Sequence, residues 1–179
     1  MPQPRRNKFD IRQLKDKILS KLYTKYPALF ERWSRKAEII EFSETPWTPF
    51  GGEISNCRVA LITTGGVHLS TQQPFNMQDP SGDPSFREIS ANESPENLLI
   101  THIYYDHSDA DKDINIVFPV ERIRLLKQFG EIGAVSTRHF SFMGHVMGHH
   151  IDTLLNQTAP SVAGRLKEDG VDVAILTPA

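Results

Sequence analysis

Two short apolar runs constrain the fold of this chain more than any other feature. "CRVALITT" occupies residues 57–64 and "VDVAILT" occupies residues 171–177. Continuous apolar runs of this length, followed by small or turn-forming residues, are typical of strands buried in a parallel sheet. Functional groups in open α/β folds usually lie at the carboxyl ends of such strands. The residues that follow each run are therefore the first place to look for a site.

The segments between the two runs predict helices that alternate with further strands. Residues 118–133 and 159–170 have helical patterns that end at glycine, and residues 98–107 and 134–144 are predicted to be strands. Strands that alternate with helices indicate an α/β fold with a mainly parallel sheet and flanking helices. We expect a Rossmann-like three-layer arrangement.

The first 45 residues differ in pattern from the rest. Apolar residues from Phe9 to Tyr26 recur at spacings of two to four, which predicts a helical N-terminal extension over residues 1–45. Residues 46–179 are then the α/β domain. Within it, residues 68–98 contain four prolines and predict a long loop, and loops of that length in compact domains are often functional.

Charge and cysteine content exclude several classes of function. A net charge of −2 gives no reason to expect a nucleic-acid-binding face, and no apolar run approaches the roughly 20 residues that span a bilayer. The single cysteine, Cys57, excludes an internal disulfide and a cysteine-cluster metal site. It begins an apolar strand and is expected to be a buried hydrophobe. We expect a cytoplasmic protein with no nucleic-acid or membrane partner and no cofactor of its own.

Candidate substrate-binding residues follow the first apolar run. Gly65 and Gly66 in "TTGGVH" allow backbone N–H groups to approach an anion, and His68 comes directly after this turn. A tight turn with a surface histidine is the alternative. Arg87 has the planar guanidinium that binds a carboxylate through two hydrogen bonds, and Asp83 lies four residues before it. An Asp83–Arg87 pair that orders the loop is the alternative there.

The segment "THIYYDHSDADKDIN", residues 101–115, has a high density of ionisable side chains. On a strand, His102 and Asp106 lie on one face and His107 on the other. These three residues are candidates for catalysis, as a histidine general base oriented by an aspartate, or for a divalent metal site. The alternative interpretation is that the acidic residues belong to a solvated loop that precedes the next helix.

The segment "HVMGHH", residues 145–150, resembles a zinc-binding helix only in part. His145 and His149 have the i, i+4 spacing of such helices, but Val146 stands where a metalloprotease needs glutamate. The spacing indicates no third ligand. We interpret this segment as a surface histidine cluster.

Several segments together resemble one known family. They are "VALITTGGVHL", "DPSGDPSFREI", "THIYYDHSDADKDINIVFPVERIRLL", "GEIGAVSTRHFSFMG" and "LKEDGVDVAILTP". In order and spacing they resemble the selenoprotein B family, whose members are subunits of glycine, sarcosine, betaine and D-proline reductases. The resemblance extends from Trp47 to the last residue. In size and layout the chain is most similar to the small selenoprotein subunit of the D-proline reductases.

The resemblance implies a subunit of a cytoplasmic reductase that cleaves a carbon–nitrogen bond of a small amino acid or amine. It implies a partner subunit whose pyruvoyl group holds the substrate. It also implies a selenocysteine or cysteine redox centre, because a selenol or thiol attacks the α-carbon of that substrate. In the family a motif of selenocysteine or cysteine, two residues, then cysteine follows the strand that matches "VDVAIL", whereas this sequence ends at Ala179.

Two explanations of this chain end stay open. The first explanation is that a UGA codon for selenocysteine was read as a stop. The second is that the chain is a short homologue that has lost the redox motif. In both cases we expect the chain to be inactive alone. Two other functions remain as alternatives: a metal-dependent hydrolase or lyase that uses His102, Asp106 and His107, and a non-catalytic binding or assembly module. A homo-oligomer is the alternative to a pyruvoyl-type partner.

Overall fold

The computed structural model describes residues 11–35 and 47–179. They form two compact units, the first of which combines the N-terminal helices with Ile103–Asp106. The second unit contains the described residues 47–102 and 107–179. The predicted boundary between an extension and a domain, near residue 45, lies outside the described residues. None of the helices in the described part of the chain is long and apolar enough to cross a bilayer.

The first unit contains helix α1 (Ile11–Lys25) and helix α2 (Pro27–Ser34). Proline at the first position of α2 lacks the N–H that a helix start leaves unpaired, so it begins the helix at no loss. The rings of Tyr23, Phe30 and Trp33 pack against one another with centroids 5.7–6.0 Å apart. This aromatic contact holds α1 to α2. The predicted helical character of the N-terminal segment is thus confirmed for its described residues.

In the second unit, strand β1 (Arg58–Thr63) is the centre of the main sheet. It pairs in parallel with β5 (Ala134–Val135) beside its first residues and with β6 (Arg138–Phe142) beside its last. From Val59 to Thr63 it also pairs in parallel with β7 (Val173–Thr177). Strand β3 (Phe86–Ser90) is antiparallel to β6. The two apolar runs of the sequence are therefore neighbouring strands, and a mainly parallel sheet is confirmed. The predicted burial of the second run is wrong: in the described part of the chain β7 pairs with β1 alone, and its Ile175 and Leu176 are exposed.

Three helices belong to this unit: α3 (Val120–Gln128), α4 (His149–Thr153) and α5 (Ala159–Glu168). A π-helical turn, Leu154–Thr158, joins the last two. Phe140 and Phe142 of β6 pack against Val162 of α5 in a buried cluster. The fold is a mixed α/β fold, as expected from the alternation of strands and helices. Its Rossmann-like three-layer arrangement stays a prediction.

Strand β3 lies inside the segment that the sequence predicts to be a loop. Its Glu88 accepts hydrogen bonds from Arg138 of β6, at 3.2 Å, and from Arg165 of α5, at 3.0 Å. Arg138 also donates to Asp169, just after α5, at 2.6 Å. This network of charges ties β3, β6 and the end of α5 together. Its members are distant in sequence, so no local pattern reveals the strand.

The predicted strand over residues 98–107 is wrong for most of its length. Only β4 (Leu98–Ile100) is a strand, and it forms a separate antiparallel ribbon with β2 (Val67–Leu69). Bends and turns follow it, and the Asp109 carbonyl accepts the N–H groups of Lys112 and Asp113 at 3.0 Å. Aspartates favour such local turns over a sheet ladder. His102 and Asp106 therefore do not share the face of a strand.

One imidazole completes the ladder of the main sheet. Arg58 of β1 pairs with Ala134, and Ile62 of β1 pairs with Phe140. Between these two pairs β1 advances by four residues and the partner segment by six, so the ladder is broken there. At this break the Leu61 N–H donates to Nδ1 of His139, at 3.1 Å, instead of to a carbonyl. Because His139 accepts at Nδ1, its ring must be neutral. Burial, and then the charge of Arg124, lower the pKa of His139 to about 4.

Candidate functional site

An open cavity of about 420 Å³ lies between the β2–β4 ribbon and residues 110–114. Its volume is within the range of small-molecule sites. The polar groups of its lining are His68, Thr101 and Asp111. The remaining lining is apolar and consists of Pro74, Leu98, Leu99, Ile100, Ala110 and Ile114. An apolar cavity with a few polar groups is the common form of a site for a small organic molecule.

His68 is a fixed part of the cavity wall. Its Nδ1 lies 2.8 Å from the Leu69 carbonyl oxygen, which can only accept, so Nδ1 carries the ring proton. Its Nε2 forms a hydrogen bond with the Thr101 hydroxyl, at 2.8 Å. The side chain is buried, and the alternative of a surface histidine is wrong. As a predicted substrate-binding residue, His68 is placed on the cavity with both ring nitrogens already bonded.

Arg87 supports the cavity wall from outside the lining. Its Nε donates to the Gln73 carbonyl at 2.8 Å, and its Nη2 donates to the Pro74 carbonyl at 3.2 Å. Its guanidinium lies 4.2 Å from the ring centroid of Phe75. Its Nη1 donates to Ser85. The donors of the predicted carboxylate-binding arginine are thus used to hold the wall segment that includes Pro74.

Asp83 is the partner of Arg87 in this support. Its carboxylate lies 3.8 Å from the Arg87 guanidinium and accepts the Asn76 N–H at 2.8 Å. Ser85 donates to it through both its N–H and its hydroxyl. Burial alone would raise the pKa of Asp83, but these hydrogen bonds and the charge of Arg87 hold it below its usual value. The pair orders the loop, as the alternative interpretation of the sequence expects.

Gly65 and Gly66 make the turn at the end of β1. The Gly66 N–H donates to the Phe142 carbonyl at 3.0 Å, and the Thr101 N–H donates to the Gly66 carbonyl at 2.9 Å. The Gly65 N–H donates to the Thr63 hydroxyl at 3.0 Å. Gly66 has a φ of +71°, and a Cβ there would lie 2.6 Å from the Thr101 carbonyl oxygen. Glycine is thus required for the close approach that positions Thr101, and the predicted role in anion binding stays a prediction.

Threonine hydroxyls fix the carboxyl edge of the sheet. Thr63 at the end of β1 and Thr177 at the end of β7 both donate to the Val117 carbonyl, at 2.6 and 2.8 Å. The Thr64 N–H donates to the Thr177 carbonyl at 3.1 Å. Sequence analysis missed these residues, although both apolar runs end in threonine. Together they hold β1, β7 and the segment before α3 in one arrangement.

The three candidate catalytic residues are divided between the two units, and their joint role stays a prediction. His102 is buried directly after the wall residue Thr101, and burial, followed by the charges of His145 and His107, lowers its pKa to about 3. An imidazole with so low a pKa is a weak base near pH 7. His107 lies 2.9 Å from the carboxylate of Asp111, which lines the cavity. Asp106 belongs to the first unit.

Asp111 and Thr101 are cavity residues that sequence analysis did not select. Asp111 is one of three alternating aspartates in the printed sequence, and no local pattern separates it from Asp109 or Asp113. Asp111 differs from Asp109 and Asp113 only in that the fold places it in the lining of the cavity.

Cys57 is buried, as the sequence predicts. Burial, followed by the charge of Asp172, raises the pKa of its thiol.

Comparisons with known proteins add a family context to this geometry. The model of the glycine/sarcosine/betaine reductase selenoprotein B family matches residues 18–179. D-proline reductase subunit gamma of Acetoanaerobium sticklandii is 38% identical over 131 residues, which are 73% of this chain and 52% of that protein. No solved structure matches this chain significantly.

Two more distant relatives belong to other reductases. The betaine reductase complex component B subunit beta of Peptoclostridium acidaminophilum is 26% identical over 70% of this chain and 28% of that protein. The glycine reductase complex component B subunit gamma of Carboxydothermus hydrogenoformans is 24% identical over 82% of this chain and 34% of that protein. The chain thus spans about half the length, or less, of the curated relatives that it matches.

We expect the free energy of unfolding to fall as the pH is lowered from 6.5 to 4. His102 has a folded pKa of about 3, whereas an unfolded histidine titrates near 6.5. In this window the unfolded chain binds a proton that the folded chain does not, so stability is complete above pH 6.5 and declines below it. Each such histidine contributes a slope of up to about 1.4 kcal/mol per pH unit. His139 adds a second contribution down to about pH 4.

Urea unfolding at pH 7.0, 5.5 and 4.5 measures this slope. His102→Asn removes one titrating group, so its slope is expected to be about half that of the unmodified chain. Imidazole NMR signals of His102 that stay in the neutral form at pH 5 are the matching direct observation. Equal slopes in the two proteins contradict the prediction.

We expect Gly66→Ala to destabilise the protein far more than Gly130→Ala. Both glycines have a positive φ, +71° and +74°, so both substitutions carry backbone strain of about 1–2 kcal/mol. Only at Gly66 does the new Cβ meet a backbone oxygen, whereas nothing lies within 4 Å of it at Gly130. We expect that overlap to make Gly66→Ala about 1–3 kcal/mol less stable than Gly130→Ala. Urea unfolding of both variants measures this difference in the free energy of unfolding. Equal losses in the two variants contradict the proposed close approach.

Proposed function

The chain belongs to the glycine/sarcosine/betaine reductase selenoprotein B family, and we propose that it is one subunit of a reductase complex that cleaves a carbon–nitrogen bond. The family match over residues 18–179 carries this proposal. Relatives named as subunits or components of D-proline, betaine and glycine reductases support it. Because a low-potential reductant is needed, we place the complex in the cytoplasm, where thiol reductants are kept reduced.

We propose that the substrate is a small amino acid or amine, with D-proline as the first compound to test. The 38% identity with a D-proline reductase subunit supports this choice. The cavity of about 420 Å³ offers an apolar wall at Leu98 and Ile100 for ring methylene groups and the carboxylate of Asp111 for an ammonium group. A charge-assisted hydrogen bond of this kind orients a small cation strongly. Arg87, Asp83, Gly65 and Gly66 act by holding the wall.

The redox centre of the family does not fit a residue of the printed sequence. Its one thiol, Cys57, is buried, bonds the Glu53 carbonyl at 3.3 Å, and has a raised pKa. A redox nucleophile needs the opposite, an exposed sulfur or selenium with a lowered pKa. No step of the proposal passes through Cys57. The pyruvoyl group is assigned to a partner subunit, and the described residues of this chain bind and orient the substrate.

Assembly with a pyruvoyl-containing subunit tests the role as a subunit. The purified chain is mixed with the pyruvoyl-containing subunit of a D-proline reductase and analysed by size exclusion with light scattering. We expect a complex of defined stoichiometry, because the relatives are named as subunits and components of complexes. A pyruvoyl enzyme from an unrelated family is the control and is expected to elute separately. A chain that elutes alone, or only as a homo-oligomer, contradicts the proposal.

Binding of small amino compounds tests the cavity. Calorimetric titrations compare D-proline, L-proline, glycine, sarcosine and betaine. We expect one of them to bind and Asp111→Asn to weaken that binding about 10- to 100-fold, the factor for loss of one charge-assisted hydrogen bond. Asp109→Asn is the matched control, because Asp109 lies in the same loop, pairs with Lys112 at 2.7 Å and is absent from the cavity lining. Equal weakening in both variants, or binding of none of the compounds, contradicts the assignment.

A further inference from the structure

A second group of polar side chains lies outside the cavity lining. Asp79, His149 and His150 each offer one ligand atom, and these atoms all lie within 4.8 Å of one another. None of the three residues lines the cavity described above. They come from two segments about 70 positions apart in sequence, so their meeting is a product of the fold.

Two backbone contacts dock these segments on each other. Gly82 forms an isolated antiparallel bridge with Val146, and the Met147 N–H donates to the Ser81 carbonyl at 2.8 Å. A Cβ on Gly82 would lie 1.7 Å from the His145 carbonyl oxygen, so only glycine permits this approach. His145 itself donates from Nε2 to the Pro80 carbonyl at 2.9 Å. The two segments are therefore fixed independently of the three side chains.

The carboxylate of Asp79 is oriented toward the histidines. Its Oδ1 accepts the Ser81 N–H at 2.8 Å, which leaves Oδ2 3.0 Å from Nε2 of His150. A backbone hydrogen bond of this type fixes the ligating carboxylate of many metal sites. Two ligand atoms of tetrahedral zinc, with bonds near 2.0–2.1 Å, are about 3.3 Å apart. The Asp79–His150 separation already approaches that value.

The imidazole rings of His149 and His150 lie side by side. Their centroids are 4.0 Å apart, with His149 exposed and His150 partly buried. The helix that carries them, α4, begins at His149. His145 lies before this helix, so His145 and His149 are not neighbours on one helix face. The group instead combines two neighbouring histidines with Asp79, a residue that the spacing of the histidines did not indicate.

We propose that Asp79, His149 and His150, called the triad below, bind a divalent d-block cation, with Zn²⁺ as the representative. Two imidazoles and one carboxylate suit zinc and its neighbours, whereas calcium takes six to eight oxygen ligands. Three protein ligands leave a coordination position for water or a carboxylate, as in zinc sites that bind a ligand. The cation takes the position of the hydrogen between Nε2 of His150 and Asp79, and the neutral imidazole then carries its one proton on Nδ1. The proposal does not depend on the proposed reductase function.

Zinc titration of the metal-free full chain, prepared without a polyhistidine tag, tests this site. Calorimetry with Zn²⁺ alone is expected to show one ion per chain. His150→Ala and Asp79→Asn are each expected to weaken the affinity at least about tenfold, the usual effect of losing a metal-site residue. Visible absorption of the Co²⁺-substituted chain reports imidazole and carboxylate coordination without relying on heat. The far-ultraviolet circular dichroism of every variant checks that it folds.

His107→Ala is the matched control. It removes another imidazole that contacts an aspartate, Asp111 at 2.9 Å, but one outside the triad. We expect this variant to bind zinc as the unmodified chain does. Should His150→Ala fail to fold, His149→Ala replaces it, because that side chain is exposed. Absence of zinc binding, unchanged binding in the triad variants, or loss of binding in His107→Ala overturns the proposal.

Discussion

The parallel pairing of β1 with β7 is the constraint on which the rest of the second unit depends. Five residues of each strand pair in register, Val59 with Val173 through Thr63 with Thr177, although they are 114 positions apart. The pairing buries the residues at the centre of β1, among them Val59, Ala60 and Leu61. Burial of such apolar surface contributes about 25 cal/mol per Å². It also sets both carboxyl ends at one edge of the sheet.

That edge carries the structure of the cavity through short polar links. Thr63 and Thr177 bind the same carbonyl, that of Val117, and Gly66 holds the wall residue Thr101 through a backbone hydrogen bond. On the other side of the cavity, Arg87 holds Pro74. The residues at the edge of the sheet therefore position the cavity lining, in which the charged group is Asp111, itself 2.9 Å from His107.

The sequence predicts the elements whose information is local. Both apolar runs, the helices α3 and α5, the buried Cys57 and the Asp83–Arg87 pair are all present, because each follows from a pattern within a few residues. Strand β3 could not be predicted, since it depends on Arg138 and Arg165, which come 50 and 77 positions after Glu88. The predicted strand through His102 fails for a related reason. Its apolar start is real, but the aspartates after it favour turns, and only tertiary contacts show where the strand ends.

The histidines show why residue type alone does not identify a site. Seven histidines occur in the sequence, and the motif analysis could only rank them by spacing. In the fold, His68 and His139 are hydrogen-bonded parts of the framework, and burial keeps His102 neutral. His149 and His150 remain accessible beside a carboxylate. Because burial disfavours the charged form of an imidazole, tertiary structure divides one residue type between buried framework positions and accessible positions. The cavity and the triad therefore recruit different aspartates, Asp111 and Asp79, that the sequence pattern does not distinguish from their neighbours.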